Sequence, residues 1–448
     1  MKADITPERA LAIVTARIRR PPQDALEAAV VLEAWSGIPA DQSLPLAREV
    51  MAAAALEDGK HDASGTRPPH KAAGAQPDSG VIVESVSLMV SMIAVATWAA
   101  PLGVELGVPL IERALFVALP LTLCLQWALR SRYLANPSGI PRLRADGGRL
   151  AALVVVLLAL PAAVFGLAGL VAALLVGAWV GGTVLVRRGW ALLYVAIVIA
   201  AALAMASGRV SPVVVLAIAS VITSGVVALA IGTDRRPPPT RQPPSWAGVG
   251  NAGLIGLALG VMLVGDPSAG WGVHGALPAI ALLPAMVGSL WGGYYLWRFQ
   301  ELVAQAIEGV PVADANRVSV TGIALSVFGG AVLRLAAATT ALSLLLLGLA
   351  SATGTPVSSS SLLAAFGCIA LVTLVASLIV SLGFAPFALL SVAAGVALEL
   401  VIAPTQPPGI PGAGILLGSA LTTLVALPPL LIVLMRPGRV LATALWIR

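Results

Sequence analysis

Twelve apolar runs, each long enough to cross a lipid bilayer, follow one another between residues 81 and 435 and constrain this chain more than any other feature. A membrane-spanning helix needs about 20 predominantly apolar residues. The runs cover 81–100, 108–129, 150–166, 168–186, 189–207, 212–232, 247–265, 275–297, 330–351, 361–381, 384–402 and 413–435. Soluble proteins carry about 25% charged residues, whereas this chain is 58% hydrophobic and only 11% charged. The pattern predicts an all-α polytopic membrane protein and excludes a soluble enzyme or a disordered chain.

One stretch does not fit a single upright span. Residues 318–354 are too long for one perpendicular helix and contain Arg334. In one interpretation residues 318–333 lie at the membrane interface and lead into a helix that starts near Arg334. In the other, the stretch forms two short spans. Twelve spans are favoured over thirteen, because a thirteenth would place the C-terminal arginines outside the cell.

The arginines predict the orientation of the chain in the membrane. Residues 81–448 contain 18 arginines and no lysine. With both termini inside, 15 of these arginines lie on the cytoplasmic side, which is the bias that cytoplasmic loops show in membrane proteins. We therefore expect a multi-pass protein of the inner or plasma membrane, surrounded by lipids, with both termini in the cytoplasm.

The spans divide into two halves of similar layout. Residues 81–232 form a predicted first six-helix bundle, and residues 247–435 form a second. A Pro/Arg-rich linker at 233–246 joins them, and its prolines prevent helix continuation. Residues 436–448 form a cytoplasmic C-terminus. Such internal repeats are common in transporters.

The N-terminal region differs in kind from the rest. Residues 1–59 are predicted to form a small cytoplasmic helical tail, with helices that follow Thr6 and cover 25–35 and 44–56. Residues 60–80 are rich in Gly, Pro and polar residues and predict a flexible linker. The tail is either a small cytoplasmic module or a docking site for a cytoplasmic or synthase partner.

No catalytic, metal or cofactor motif is visible. The chain has no Walker A loop and no HExxH, SxxK or GxSxG motif. Cys124 and Cys368 lie in apolar runs, and the three histidines are scattered. We therefore expect neither an enzyme nor a bound metal or cofactor. Nucleic-acid binding is disfavoured because the arginines lie where membrane topology requires them.

Polar residues inside the spans are the best functional candidates, because placing them in lipid is costly. Glu112 and Arg113 form either an interfacial pair or a substrate-contacting pair, and Gln126 lies deeper, suited to a bond between helices. Arg334 either reaches the inner surface or lines a cavity for an anionic substrate. Glu399 is either an interfacial anchor or a cavity carboxylate that titrates during transport. All five are predicted substrate-cavity residues.

The plan of six plus six spans with both ends inside resembles the multidrug/oligosaccharidyl-lipid/polysaccharide exporter superfamily. Within it, Tyr294–Arg317 is similar to the Pel-type exopolysaccharide transporter, because an aromatic-rich span end runs into an amphipathic segment with Gly309 followed by Asp314. The resemblance covers residues 81–435. It implies export of a polysaccharide or lipid-linked glycan by alternating access, with two bundles rocking around a central cavity.

Two other hypotheses remain open. The first is a small-molecule carrier of the major-facilitator type, whose Gly- and Arg-rich loop between the second and third spans is half-present at 136–149. The second is a membrane subunit that transports nothing and scaffolds a polysaccharide synthase through residues 1–59. Deletion of the tail distinguishes a docking role from a scaffold role.

Overall fold

A computed structural model describes residues 6–18, 22, 25–36, 38, 40–58, 86–87, 90–91, 94–95, 97–134, 139–233, 246–265, 282–285, 317–353, 360–405 and 412–435. The described part is helical throughout, which confirms the all-α class. In chain order the α-helices are α1 Pro7–Ile18, α2 Ala25–Ser36, α3 Ala40–Asp58, α4 Ala99–Leu106, α5 Val108–Leu129, α6 Gly139–Ala145, α7 Gly147–Phe165, α8 Leu167–Arg187, α9 Ala191–Ala206, α10 Pro212–Gly232, α11 Trp246–Val264, α12 Arg317–Thr353, α13 Ser360–Ser381, α14 Ala385–Ile402 and α15 Ala413–Leu434. A π-helical turn, Arg130–Leu134, extends α5, and a 3-10 turn, Ala403–Thr405, follows α14.

The chain divides into two compact units. One comprises Met1–Gln76, Tyr295–Leu333 and Pro428–Arg448, and the other comprises Pro77–Tyr294 and Arg334–Leu427. In the first unit, α1, α2 and α3 pack on one another around a small apolar core. Ala10, Val14, Leu32 and Val50 are fully buried there. The helices predicted for residues 1–59 are therefore present, and the third begins earlier than expected, at Ala40; the cytoplasmic location of this tail remains a prediction.

Eight described helical segments are long and apolar enough to cross a membrane. They are Val108–Tyr133, Leu167–Arg187, Pro212–Gly232, Trp246–Val264, Ala324–Leu349, Ser361–Ser381, Ala385–Ile402 and Ala413–Leu434. Helices α7 and α9 coincide with the predicted spans 150–166 and 189–207. The predicted spans 81–100 and 275–297 lie largely outside the described residues. The polytopic class predicted from apolar length is thereby confirmed.

Helix α12 differs from both interpretations of the long apolar stretch. It runs without a break through Arg317–Thr353, a length of 37 residues. The expectation of a helix that starts near Arg334 is wrong, because Arg334 lies within the helix and within its apolar segment Ala324–Leu349. Between Gly330 and the end of the helix at Thr353 the sequence contains no proline and no glycine pair, so Arg334 occupies an ordinary helical turn flanked by the good helix formers Leu333 and Leu335.

Short connections fix how neighbouring spans turn. Gly166 alone separates α7 from α8 and has φ 58° and ψ −128°, a backbone conformation open to glycine. Helix α10 starts at an N-cap, Ser211, whose hydroxyl oxygen accepts a hydrogen bond from the Val214 N–H at 3.4 Å. The Glu105 carboxylate joins this cap by accepting a hydrogen bond from the Ser211 hydroxyl at 2.5 Å and from the Val213 N–H at 3.4 Å. The end of α4 is thereby tied to the positive end of the α10 dipole.

Helix α11 lies at the centre of the packing within the second unit. It contacts α5 along one side and α14 along another, and it also contacts α13. Helix α8 plays a similar part among the earlier spans, because it contacts α5, α7, α9 and α10. These two central helices place the residues described next.

Candidate functional site

Glu399 is the most deeply buried acidic side chain of the membrane-spanning segments in the described chain. It lies in the last turns of α14, in the apolar sequence ALELVI, and is 0% exposed. Its neighbours come from two other helices. A Cβ atom added at Gly265, directly after α11, would lie 3.0 Å from Glu399 Oε1, and one added at Gly418 in α15 would lie 3.2 Å from Glu399 Cβ. The absence of side chains at these two glycines makes room for the glutamate.

Helices α14 and α15 cross closely at Gly395, one turn before Glu399 in α14. A Cβ atom at Gly395 would lie 2.5 Å from the Gly418 carbonyl oxygen and would overlap the Thr422 hydroxyl. Small residues let helix backbones approach in this way in membranes. Met262 of α11 completes the crossing, since its Sδ accepts a hydrogen bond from the buried Ser419 hydroxyl at 3.6 Å. We call the site formed by Gly265, Gly395, Glu399, Gly418 and Thr422 the Glu399 junction.

A second close contact joins α5 to α11. Cβ atoms at Gly256 and Gly260 would overlap the backbone of Leu123 and Pro120, respectively, and one at Gly253 would lie 3.5 Å from Cys124 Sγ. The backbones of the two helices therefore run against each other over two turns. We call this contact the α5–α11 seam. A small-xxx-small motif, Gly256 to Gly260, is the feature of the sequence that indicates such a contact.

Gln126 bonds to a neighbouring helix. Its Nε2 donates to Thr183 Oγ1 at 2.9 Å and to the Trp179 carbonyl oxygen at 3.5 Å. The side chain thus joins α5 to α8, which is the helix-to-helix role expected for a polar residue at this depth. Its predicted place in a substrate cavity remains a prediction.

The other three candidates lie apart from this bond. Glu112, in the first turns of α5, is half-buried, while the adjacent Arg113 is exposed. Arg334 is also exposed, although it lies within an apolar span. In the described part of the chain, no hydrogen bond or ion pair joins any two of Glu112, Arg113, Gln126, Arg334 and Glu399. Their grouping into one cavity therefore remains a prediction, and Glu399 is the one fully buried member of the five.

A network that the sequence analysis missed closes the C-terminal end of α5. Arg132, whose side chain is 7% exposed, pairs with Asp146 at 3.3 Å and stacks over the Trp246 ring at 3.8 Å from its centroid. The Tyr133 hydroxyl donates to the same carboxylate at 2.8 Å. The network therefore ties the end of α5 to the start of α7 and of α11. Asp146 was the available signal, because it is the one acidic residue among the arginines of residues 130–149.

These observations define the class of this protein. It is a multi-pass α-helical membrane protein with a carboxylate buried where three of its helices meet.

Comparison with known proteins adds structural likenesses. No protein-family model and no curated protein matches the sequence. Among solved structures, the chain is similar to a MATE protein in complex with MaL6, at 15% identity and a TM-score of 0.43 over 81% of this chain and 97% of that chain. It is also similar to the inward-facing conformation of a multidrug resistance MATE family transporter of the MOP superfamily, at 14% identity and a TM-score of 0.41 over 82% and 96% of the two chains. A MATE protein in complex with MaD3S gives 15% identity and a TM-score of 0.40 over 83% and 97%. These likenesses assign no family to the chain.

Proposed function

We propose that this protein is a transporter or flippase that exports a polysaccharide or lipid-linked glycan by alternating access, and that protonation of Glu399 drives the change between its states. The protein would lie in the inner or plasma membrane with both termini in the cytoplasm. The observation that carries the proposal is the burial of Glu399 between α11, α14 and α15. Ionisable residues inside membrane spans are rare and mark transport paths and proton relays.

The burial links charge to conformation. An ionised carboxylate loses several kcal/mol of solvation when it moves from water into a closed protein interior. If the helices around Glu399 separate and water enters, the ionised form gains that solvation back. The equilibrium between a closed and a hydrated junction therefore depends on whether Glu399 carries a proton, and a proton gradient can bias it.

The packing of the junction suits such a change. Helices α14 and α15 meet through glycines and short hydroxyl side chains, so few interdigitating side chains must be disengaged when they part. Helix α15 carries a Pro428–Pro429 pair and α5 carries Pro120. Prolines weaken the helical hydrogen-bond ladder locally and provide bending points.

The substrate class rests on the sequence resemblance to polysaccharide exporters and on the arginines of the spans. Arg113 and Arg334 are exposed within or beside apolar segments, where a guanidinium can bind the phosphate of a lipid-linked glycan. Glu112 and Gln126 are the further proposed substrate contacts.

The decisive test replaces Glu399 by glutamine. Glu399→Gln keeps the size of the side chain and removes its titration, so export of the cell's surface polysaccharide is expected to fall at least about tenfold while the protein still inserts into the membrane. Glu105→Gln is the matched control, because it makes the same chemical change at an exposed helix cap. Export should be measured together with the amount of protein in the membrane. Normal export by Glu399→Gln would contradict the proposed role of Glu399.

The substrate contacts have their own test. Arg334→Ala is expected to abolish export while leaving the protein folded and inserted. Arg209→Ala, which removes an exposed arginine from a loop, is the control. Normal export by Arg334→Ala would remove Arg334 from the substrate path and leave the role of Glu399 standing.

We further propose that residues 1–59 dock a cytoplasmic or synthase partner. The observation that favours this role is the separate apolar core shared by α1, α2 and α3. Deletion of residues 1–59 should leave export per inserted molecule intact and abolish recruitment of the partner. Loss of both would favour a scaffold that transports nothing.

A further inference from the structure

The geometry at the C-terminal ends of α5 and α8 points to a binding site for the phosphate of an anionic lipid headgroup, formed by Arg130 and Arg187. Neither residue belongs to the proposed transport machinery. The inference starts from the hydrogen bond between Gln126 and Thr183, at 2.9 Å, which fixes one point of contact between the two helices.

The two arginines lie one turn beyond that contact. Arg130 is four residues after Gln126, and Arg187 is four residues after Thr183. Residues four apart lie on the same face of a helix. Beyond that bond, Leu129 packs against an apolar cluster that contains Tyr133 and Val184, so the contact continues toward the C-terminal ends of both helices. Helices α5 and α8 therefore run parallel here and bring Arg130 and Arg187 to the same end of their contact.

The nearby acidic residue is already engaged. Asp146 accepts hydrogen bonds from Arg132 and Tyr133. Arg188, the neighbour of Arg187, donates from Nε to the Ala230 carbonyl at 3.1 Å and so caps α10. In the described residues, no carboxylate pairs with Arg130 or Arg187. Two like charges held together in this way, one of them half-buried, are stabilised when an anion binds between them.

The position selects a lipid as the source of the anion. Both arginines lie at the ends of candidate membrane spans, Val108–Tyr133 and Leu167–Arg187, where headgroups meet the protein. Basic pockets between such helix ends bind anionic headgroups. Arg187 is exposed and so is accessible from the surrounding lipid, whereas Arg130 is half-buried and can hold the phosphate from the protein side.

The test measures lipid binding by the purified full-length chain. Delipidated protein is titrated with phosphatidylglycerol or phosphatidylcholine, and the rise in its melting temperature gives an apparent Kd for each lipid. We expect stabilisation by phosphatidylglycerol and little by phosphatidylcholine. The double variant Arg130→Gln with Arg187→Gln should bind phosphatidylglycerol at least about tenfold more weakly, because each arginine contributes about one kcal/mol to anionic-lipid binding.

A matched control separates a site from general surface charge. Arg144→Gln with Arg209→Gln removes the same number of positive charges, from two exposed positions away from the proposed site, and should weaken binding by less than about threefold. Equal losses in both double variants, or equal stabilisation by both lipids, would overturn the proposal. If the double variant does not fold, the single variant Arg187→Gln, at an exposed position, should still lose at least about threefold, and no loss there would overturn it as well.

The last measurement repeats the thermal titration with millimolar inorganic phosphate in place of lipid. If phosphate alone stabilises the protein as much as phosphatidylglycerol does, the site takes a free phosphate and the lipid assignment is wrong. Because the readout is binding, its result is independent of whether the protein exports a glycan.

Discussion

The α5–α11 seam and the Glu399 junction both involve α11 or the residue that directly follows it, and both pack through glycines. They differ in the chemical groups that these glycines contact. Both bring backbones together through glycines, Gly256 and Gly260 at the seam and Gly395 and Gly418 at the junction. At the seam the glycines meet backbone and apolar side chains, whereas at the junction they surround a carboxylate and the Thr422 hydroxyl. Glycine packing alone therefore does not indicate function. The proposed role of the junction therefore rests on the buried Glu399 carboxylate beside the glycines.

The largest expected loss of stability comes from adding a side chain at Gly260 of α11, where the neighbouring backbone leaves no space, compared with Gly250 of the same helix, where space is open. Gly260→Leu would force a side chain into the Pro120 backbone, which has no freedom to move aside. We expect a cost of about 3 kcal/mol in folding free energy, measured by thermal unfolding in detergent. Gly250→Leu is the control, because nothing lies within 4 Å of a Cβ at that exposed position. Similar losses in both variants would show that the seam is not tightly packed.

The same experiment at the junction should give a smaller loss. Gly395→Val would meet the Gly418 carbonyl and the Thr422 hydroxyl, and the latter can rotate away. A cost of about 2 kcal/mol is expected, with Gly225→Val in α10 as the control at a position with open space. A loss larger than that of Gly260→Leu would mean that the junction, and not the seam, is the more rigid of the two.

Gly265→Ala tests the space around the carboxylate directly. The added methyl group would lie 3.0 Å from Glu399 Oε1, so the side chain must shift by a few tenths of an ångström. We expect a cost of about 1 kcal/mol and a clear loss of export. In a Glu399→Ala background the stability cost should become smaller. An unchanged cost there would mean that the clash is with the Val261 carbonyl oxygen, which is equally close.

The smallest expected effect concerns the bond beside the seam. Gln126→Leu removes the hydrogen bond to Thr183 and should cost about 0.6 kcal/mol, the average for such bonds in membranes. A double-mutant cycle with Thr183→Val measures the coupling between the two residues by thermal unfolding. Additive losses would show that the bond contributes nothing to stability.

The fold could be predicted from the sequence where a single physical requirement decides the structure. Lipid admits only segments with internally satisfied backbones, so apolar runs such as 361–381 and 384–402 correspond closely to α13 and α14. The prediction for the long stretch around Arg334 was wrong because the length of an apolar span does not indicate where a helix ends outside the hydrocarbon. Helix α12 therefore continues on both sides of its apolar segment.

The candidate site was less predictable, because it depends on pairs of residues far apart in the sequence. Glu399 was recognisable as an acidic residue in an apolar span. Its burial depends on Gly265 and Gly418, which no local pattern connects to it. The partner of Gln126 is 57 positions further along the chain. Spacing within one helix indicates faces, but it does not indicate which helix covers a face.

The length of α12 has a consequence for its placement in the membrane. At 1.5 Å per residue, its 37 residues extend about 55 Å, while the hydrocarbon core is about 30 Å thick. An upright helix of this length would extend well beyond the hydrocarbon. A long helix is accommodated by tilting or by extending into the headgroup and aqueous regions, so the 26-residue apolar segment Ala324–Leu349 sets only the part of α12 that lipid must cover.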